Sequence, residues 1–419
     1  MEQVQNMLLD RNQIKGPCTD AVRNTWLAAP DSFPDFLTEI SAEDKGRNEQ
    51  YIQTVSDRFQ KQVKSFPVNP AGRGKWKKKM AGLLEDTLCE ETIIGVHRAM
   101  DRQAISVFTE ELKDFLRHER AFAPELQIED IGQAIRNYIV YAMFVEIHRA
   151  APCFNPACFG YSMLYPITDN YIDSRDYSDE EKTEYNRLIR DRIEGREVRP
   201  ASPHQQKTCE LLSAIESEYP RDKDDSVYML LLMMLDAQAE SLRQQDSDAV
   251  LTAAERLDIS IFKGGTSVLI DRFFVKKEMT EEDLLYYFAF GLFLQLADDL
   301  QDIAEDGAKG HQTIFTIDTD NRQEEKIVNK LLHFVHRISS DYQTDNEVFK
   351  DFVLSNCYRL VFSSVVRSRE FFSETYLDTI ERYLSVSGSF LRKIGRNQIE
   401  NADVRTQEKY LKILDEMIS

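Results

Sequence analysis

Positive charge is what this sequence is short of. Its 52 lysines and arginines stand against 72 aspartates and glutamates, so the net charge is −20. A nucleic-acid partner needs a basic footprint, and the balance argues against one. It does not bar an anionic small molecule, because metal ions can supply positive charge locally. Long apolar runs are missing too. The longest, YYFAFGLFLQLA at 286–297, is too short to span a bilayer and runs straight into aspartates. The opening MEQVQNMLLDRNQ lacks the basic-then-apolar pattern of a secretory signal. The six cysteines, at 18, 89, 153, 158, 209 and 357, are scattered. Cys153 and Cys158 form a C-x4-C pair with no partner pair and no nearby histidine, which speaks against zinc and for reduced thiols in a cytoplasmic protein. Histidines are few, and none has a catalytic neighbour in sequence. There is no internal repeat, no low-complexity tract and little strand-like alternation.

Helical periodicity fills the space these absences leave. With 42% hydrophobic and 30% charged residues the chain can bury a large core. Its 419 residues would allow more than one domain, but no linker forces a split. The expected fold is all-α, with a helical domain over 121–419 and extra N-terminal helices over 1–120 packed on it. Prolines 17, 30 and 34 break the first segment into short helices. Residues 65–80, SFPVNPAGRGKWKKKM, read as a loop passing into a helix and carry the most basic patch of the chain. A solvated helix start is one reading of that patch; contact with an anionic lipid surface or a diphosphate is another. Further helices are expected at 80–118, 128–150, 159–174, 204–219, 225–245, 322–341, 346–372, 374–396 and 404–418. Residues 175–203 read as a mobile charged connection with one short helix. The stretch 248–276 reads as helical but interrupted at Gly264–Gly265, a pattern of kink or close backbone approach.

One stretch organises the rest. Residues 280–313, TEEDLLYYFAFGLFLQLADDLQDIAEDGAKGHQT, read as a single long helix ended by Gly307 and Gly310. Thr280 and Asp283 make a capping-box pattern. Leu284, Phe288, Leu292, Gln295, Asp299 and Asp302 recur at three- and four-residue steps, hence on one face. Asp298 and Asp302, at i and i+4, repel each other, and Asp299 adds a third charge. They gather near a helix C-terminus, where the macrodipole disfavours anions. No lysine or arginine lies between Lys277 and Lys309. Two readings remain: a solvated acidic helix end, or carboxylates awaiting a hard divalent cation such as Mg2+, which takes one or two carboxylates, waters and substrate phosphates.

LQLADDLQDIAED resembles the second aspartate-rich motif of the class I isoprenoid synthases, in trans-prenyl diphosphate synthases roughly FQxxDDxxD. Gln295, Asp302, Glu305 and Asp306 also fit the Q…DxxED helix of squalene and phytoene synthases. GAKGHQTIFT resembles the Gly/Lys/Thr loop that follows the motif. Within this resemblance TDNYIDS supplies the partner: Asp169 and Asp173, at i and i+4, are similar to the first aspartate-rich motif, with Asn170 where prenyl diphosphate synthases have a second aspartate. Tyr161, Leu164 and Tyr165, one to two turns earlier, would line the cavity wall. Lys263 in FKGGTSV is similar to the diphosphate-binding lysine of the KT motif, though two glycines separate it from Thr266. The same glycines are similar to the helix break beside the diphosphate in terpene synthases. Lys309 and the dipeptide Arg382–Tyr383 are further diphosphate candidates, and Arg256 is one on position alone.

The resemblance implies a single large helical bundle around a central cavity, of the class I terpenoid synthase type, and a prenyl diphosphate substrate. It implies Mg2+ ions on Asp169, Asp173, Asp298, Asp299 and Asp302, held together with the diphosphate, and it admits a homodimer. Among its activities a terpene synthase is favoured, because the basic GGKR-like stretch and arginine pair of prenyltransferases are missing. The DDxxD form of the second motif keeps a chain-elongating or head-to-head prenyltransferase in view. From another class, a non-catalytic helical scaffold or lipid-binding protein predicts that the two acidic motifs do not share a cavity. The resemblance covers roughly 128–320.

Overall fold

The computed structural model describes residues 11, 14–152, 154–174, 176–223, 225–246, 250–316, 323–395 and 404–419. Among them the regular structure is helical throughout, without a strand. After a π-helical turn at Ile14–Cys18 come α1 (Thr19–Ala28), α2 (Ala42–Lys64), α3 (Arg73–Glu90), α4 (Val96–Ala99), α5 (Arg102–Phe122), α6 (Ile128–Ile147), α7 (Pro156–Asp173), α8 (Asp179–Ile193) and α9 (Pro203–Glu218). Then follow α10 (Ser226–Ser241), α11 (Ala253–Val275), α12 (Glu281–Gln301), α13 (Ile303–Lys309), α14 (Gln323–Asp341), α15 (Glu347–Arg367), α16 (Glu374–Glu381), α17 (Gly388–Gly395) and α18 (Val404–Ile418). No described helix is long and apolar enough to cross a membrane. Cys18, Cys89, Cys158, Cys209 and Cys357 are free thiols, and Cys153 lies outside the described residues.

The helix starts are written locally. Thr280 with Asp283, Thr252 with Glu255 and Ser178 with Glu181 close reciprocal capping boxes at α12, α11 and α8. Asn155 and Ser202 cap α7 and α9, each followed by a proline at the first helical position, where no amide donor is needed.

The architecture is centred on the pair α11 and α12, which run antiparallel. Gly264 and Gly291 meet backbone to backbone: a Cβ on Gly264 would lie 2.2 Å from the Gly291 carbonyl oxygen. The ring of Phe288 covers Gly265 in the same way. The glycine pair is therefore a contact surface, and α11 continues through it unbroken from Ala253 to Val275. Close approach lets α12 be covered nearly all round. Tyr287, Phe288, Phe290, Phe293, Leu296 and Leu300 are all buried, each such apolar side chain contributing roughly 1.5–3 kcal/mol. A buried ion pair fixes the start of α12. Arg272 Nη2 donates to Asp283 Oδ2 at 3.0 Å, and the Tyr342 hydroxyl donates to Oδ1 at 2.6 Å. Burial beside Arg272 pushes neighbouring His148 down to about 4, so it stays neutral.

Several expected boundaries move. The 280–313 helix breaks at Asp302, which caps α12 with φ −105° and ψ 12°; the short α13 follows and ends at Gly310 in the left-handed region, φ 73°. The expected helix at 80–118 is α3 and α5, split where the Glu91 carboxylate accepts the amides of Ile93, Ile94, Gly95 and Val96. The 374–396 segment is α16 and α17. Residues 42–64, expected as short pieces, form the 23-residue α2. The boundary drawn at residue 120 falls inside α5. Trp26 of α1 and Phe115 of α5 belong to the main core, whereas Trp76 and Met80 of α3 pack with Ile413 and Met417 of α18 in a small core of their own.

Candidate functional site

Six helices enclose one cavity of about 720 Å3, within the range of small-molecule sites. α6 presents Gln133, Arg136, Asn137 and Val140; α7 presents Tyr165, Asp169 and Ile172; α8 presents Asn186, Arg187 and Arg190. α10 adds Met234, Leu235 and Gln238, α11 adds Lys263, Ser267, Val268 and Asp271, and α12 adds Leu294, Gln295 and Asp298. Asp169 and Asp298, on different helices and far apart in sequence, thus line the same space with Lys263, Gln295 and Tyr165.

The acidic end of α12 divides its work. Asp298 projects into the cavity and is solvent-exposed there. Desolvation raises its pKa, against the opposing pull of Lys263 and Arg136. Asp299 turns inward and is buried; its Oδ1 accepts from Gln295 Nε2 at 2.8 Å, while its Oδ2 has no hydrogen-bond partner. Burial pushes this carboxyl up to about 7. Asp302, the helix cap, is outside the cavity lining; desolvation and the charge of Asp298 raise it, with Arg367 and Arg136 opposing. The cations missing from 278–308 are therefore supplied in part by other helices: Lys263 from α11, Arg136 from α6 and Arg367 from α15.

On the facing wall Asp169 Oδ2 accepts from Gln133 Nε2 at 2.8 Å. Asp173 ends α7, and its side chain lies outside the described residues. Asn170 turns away, donating to Asp130 Oδ1 at 2.9 Å. Among the described residues no three carboxylates, histidines or cysteines cluster as a ready-made metal cage.

Tyr161 and Leu164 lie beside the main space. They line an annex of about 50 Å3 with Ile189, Ile193 and Leu231, and Tyr165, Ile172, Met234 and Leu235 are shared by both. The Tyr165 hydroxyl lies 2.6 Å from Ser267 Oγ and 2.9 Å from the Tyr161 hydroxyl, and burial raises both phenols. Asp271 is buried in the cavity wall and held by Asn137 Nδ2 at 3.1 Å; desolvation lifts its pKa well above the ordinary aspartate value, with the Asn137 hydrogen bond opposing.

The remaining candidates are elsewhere. Lys309 is exposed and pairs with Glu305 at 2.5 Å. Arg382 pairs with Glu39 at 3.0 Å, and Tyr383 packs on Phe33 and Phe362. None of the three lines the cavity. Arg256 is structural: it donates to the carbonyls of Leu251 and Thr313 and to Gln312, tying down the chain after α13.

Sequence reasoning passed over Arg136, Gln133 and Asn137. Their signal was there: with Val140 they recur at i, i+3, i+4 and i+7, a polar stripe along an apolar helix. It expected 175–203 as a mobile charged connection with one short helix, and it missed that this helix, α8, is 15 residues long and faces the cavity. Tyr185, Ile189 and Ile193 bury one face of that helix, and Asn186, Arg187 and Arg190 reach the cavity. Comparison of the chain with protein-family models, with curated proteins and with solved structures gives no match.

Proposed function

We propose that the protein is a class I terpene synthase, with a fold of the class I terpenoid synthase type, acting on an allylic prenyl diphosphate. One observation carries the reading: Asp169 and Asp298, on different helices, line one cavity together with Lys263 and Arg136, above an apolar annex. A scaffold has no use for a concave site that gathers charged groups of both signs beside an apolar wall.

The donor set suits Mg2+. Asp169 and Asp298 each bring one carboxylate to the cavity, Asp302 lies one turn beyond Asp298 outside the lining, and Asp299 Oδ2 is a buried oxygen without a partner. Such an ion completes its shell with waters and substrate phosphate oxygens, so no preformed cage is required. Bound there, Mg2+ would supply Lewis-acid stabilisation of the departing diphosphate. Lys263 and Arg136 bind the same anion and take up charge as the carbon–oxygen bond breaks. The apolar wall, from Val140, Ile172, Met234, Leu235, Val268 and Leu294, holds the prenyl chain and excludes water from the allylic cation. Burial of Asp271 disfavours an anion that could trap that cation. The Tyr165 ring can face it with its π electrons.

Arg187 and Arg190 on the same wall favour a second reading, a prenyltransferase that holds a second diphosphate; against it, Arg190 is engaged by Asp236 at 2.7 Å. The experiment is incubation with Mg2+ and prenyl diphosphates of ten to twenty-five carbons, with and without isopentenyl diphosphate. Diphosphate release without the second substrate is the expected result, and chain elongation would select the transferase. Asp169→Asn and Asp298→Asn should each lower turnover by about 10²–10³. Absence of both turnover and Mg2+-dependent diphosphate binding would return the protein to the scaffold or lipid-binding class.

A further inference from the structure

The hairpin of α2 and α3 lies outside everything described so far. From Arg58 to Leu84 the chain has eight lysines and arginines and no aspartate or glutamate, inside a protein of net charge −20. The helices place these charges on outward faces. Arg58, Lys61 and Lys64 follow each other at three-residue steps along the last turns of α2, a helix with no buried residue. Lys75, Lys78 and Lys79 sit at i, i+3 and i+4 on α3, all exposed, on the side away from buried Trp76 and Met80. None of these six makes an ion pair among the described residues. The two remaining cations are occupied: Arg73 pairs with Glu416 at 3.2 Å, and Lys77 donates to the Ser419 carbonyl. Glu416 of α18 and the Ser419 carbonyl thus engage the two inner cations, and the outer six have no ion-pair partner among the described residues.

The apex joins these two faces. Val68 stands between Pro67 and Pro70 and is 96% exposed, the most exposed of the large apolar side chains among the described residues. The aromatics nearby are turned inward: Phe66 meets Trp76 edge-on at 4.9 Å, and Trp76 Nε1 is bonded to the Gln62 carbonyl. An apolar tip flanked by lysines is the arrangement that meets an anionic bilayer, the side chain entering the interface and the cations facing the headgroups. A nucleic acid would ask for an exposed aromatic to stack on bases, and the hairpin has none. No residue of 58–84 lines the cavity, so the surface is independent of the reaction there.

We propose that the tip of the α2–α3 hairpin docks the protein onto anionic phospholipid bilayers, with Val68 at the interface and Lys61, Lys64, Lys75, Lys78 and Lys79 on the headgroups. The test is co-sedimentation of the full chain with phosphatidylcholine vesicles, with and without phosphatidylserine, at low and high salt. Binding should need phosphatidylserine and fade with salt. The triple variant K75E/K78E/K79E should weaken it by about 10²-fold or more, at roughly fivefold per lysine. Val68→Asp should weaken it with no change in thermal unfolding, and Lys326→Glu, an exposed lysine on α14, should leave it unchanged. Equal binding to both vesicle types, no binding to either, an unaffected triple variant, or displacement of the vesicles by a short RNA duplex would each overturn the proposal.

Discussion

Glu119 sits in α5 fully buried, and neither carboxylate oxygen has a hydrogen-bond partner. Burial pushes its pKa up to about 7, from 4.5 in an unfolded chain. Between those values the folded state holds a proton that the unfolded state has lost, so stability falls as pH rises through 4.5 to 7 and levels off above. Glu119→Gln removes the titration. It should flatten the pH–stability curve over this interval and raise stability at pH 8 by up to about 3 kcal/mol, as read from urea unfolding at several pH values. Asp299, at a similar value, differs in chemistry: Gln295 holds one of its oxygens, and cations line the adjacent cavity. The pair shows why burial of a carboxyl does not by itself mark a site. The surroundings decide whether a charge there has any counterpart.

At the scale of elements the glycines separate by what they face. Gly264 and Gly291 leave no room for a methyl group, since each Cβ would overlap the other helix's backbone. Gly264→Ala or Gly291→Ala must push α11 and α12 apart, at a cost of at least about 1–3 kcal/mol. Gly307, inside α13, faces open space, so Gly307→Ala should be neutral or stabilise by up to about 1 kcal/mol. Thermal unfolding of the three variants checks the contrast. Two adjacent glycines in an apolar helical pattern admit a kink or a close approach. The choice was illegible because it depends on Gly291, a partner in another helix. The break at Asp302 was hidden for a related reason: the polar pattern continues through it at helical spacing, while the backbone is turned by the cap.

For the whole molecule the outer layer depends on the two ends of the chain meeting. Ile413 and Met417 of α18 cover Trp76 and Met80, while Arg120 pairs with Asp415 at 2.9 Å and Arg117 donates to the Ile418 carbonyl. A chain ending at residue 403 should lose amide-exchange protection over 73–90, with 253–301 still protected, because α18 gives the main core only Ile418, with Leu411 and Leu414 at its edge, and α11 and α12 are packed chiefly by other helices. Hydrogen exchange followed by mass spectrometry reads both segments at once. Retained protection over 73–90 would show that α2, α4 and α5 hold α3 without α18.

The sequence alone determined the helical class, most helix starts and the acidic ends of α7 and α12, because caps and three-to-four-residue periodicity are local properties. The resemblance named Gln295 and Tyr165 as cavity residues and Lys263 as a diphosphate ligand, and all three line the cavity. Only the tertiary structure decided that Asp298 faces the cavity while its neighbour Asp299 is buried, that Arg136 and α8 reach the same space, and that Lys309, Arg382 and Tyr383 are spent elsewhere. Periodicity states which side chains share a face of a helix; which neighbour covers that face, and with what charge, is set by packing between segments far apart in the chain.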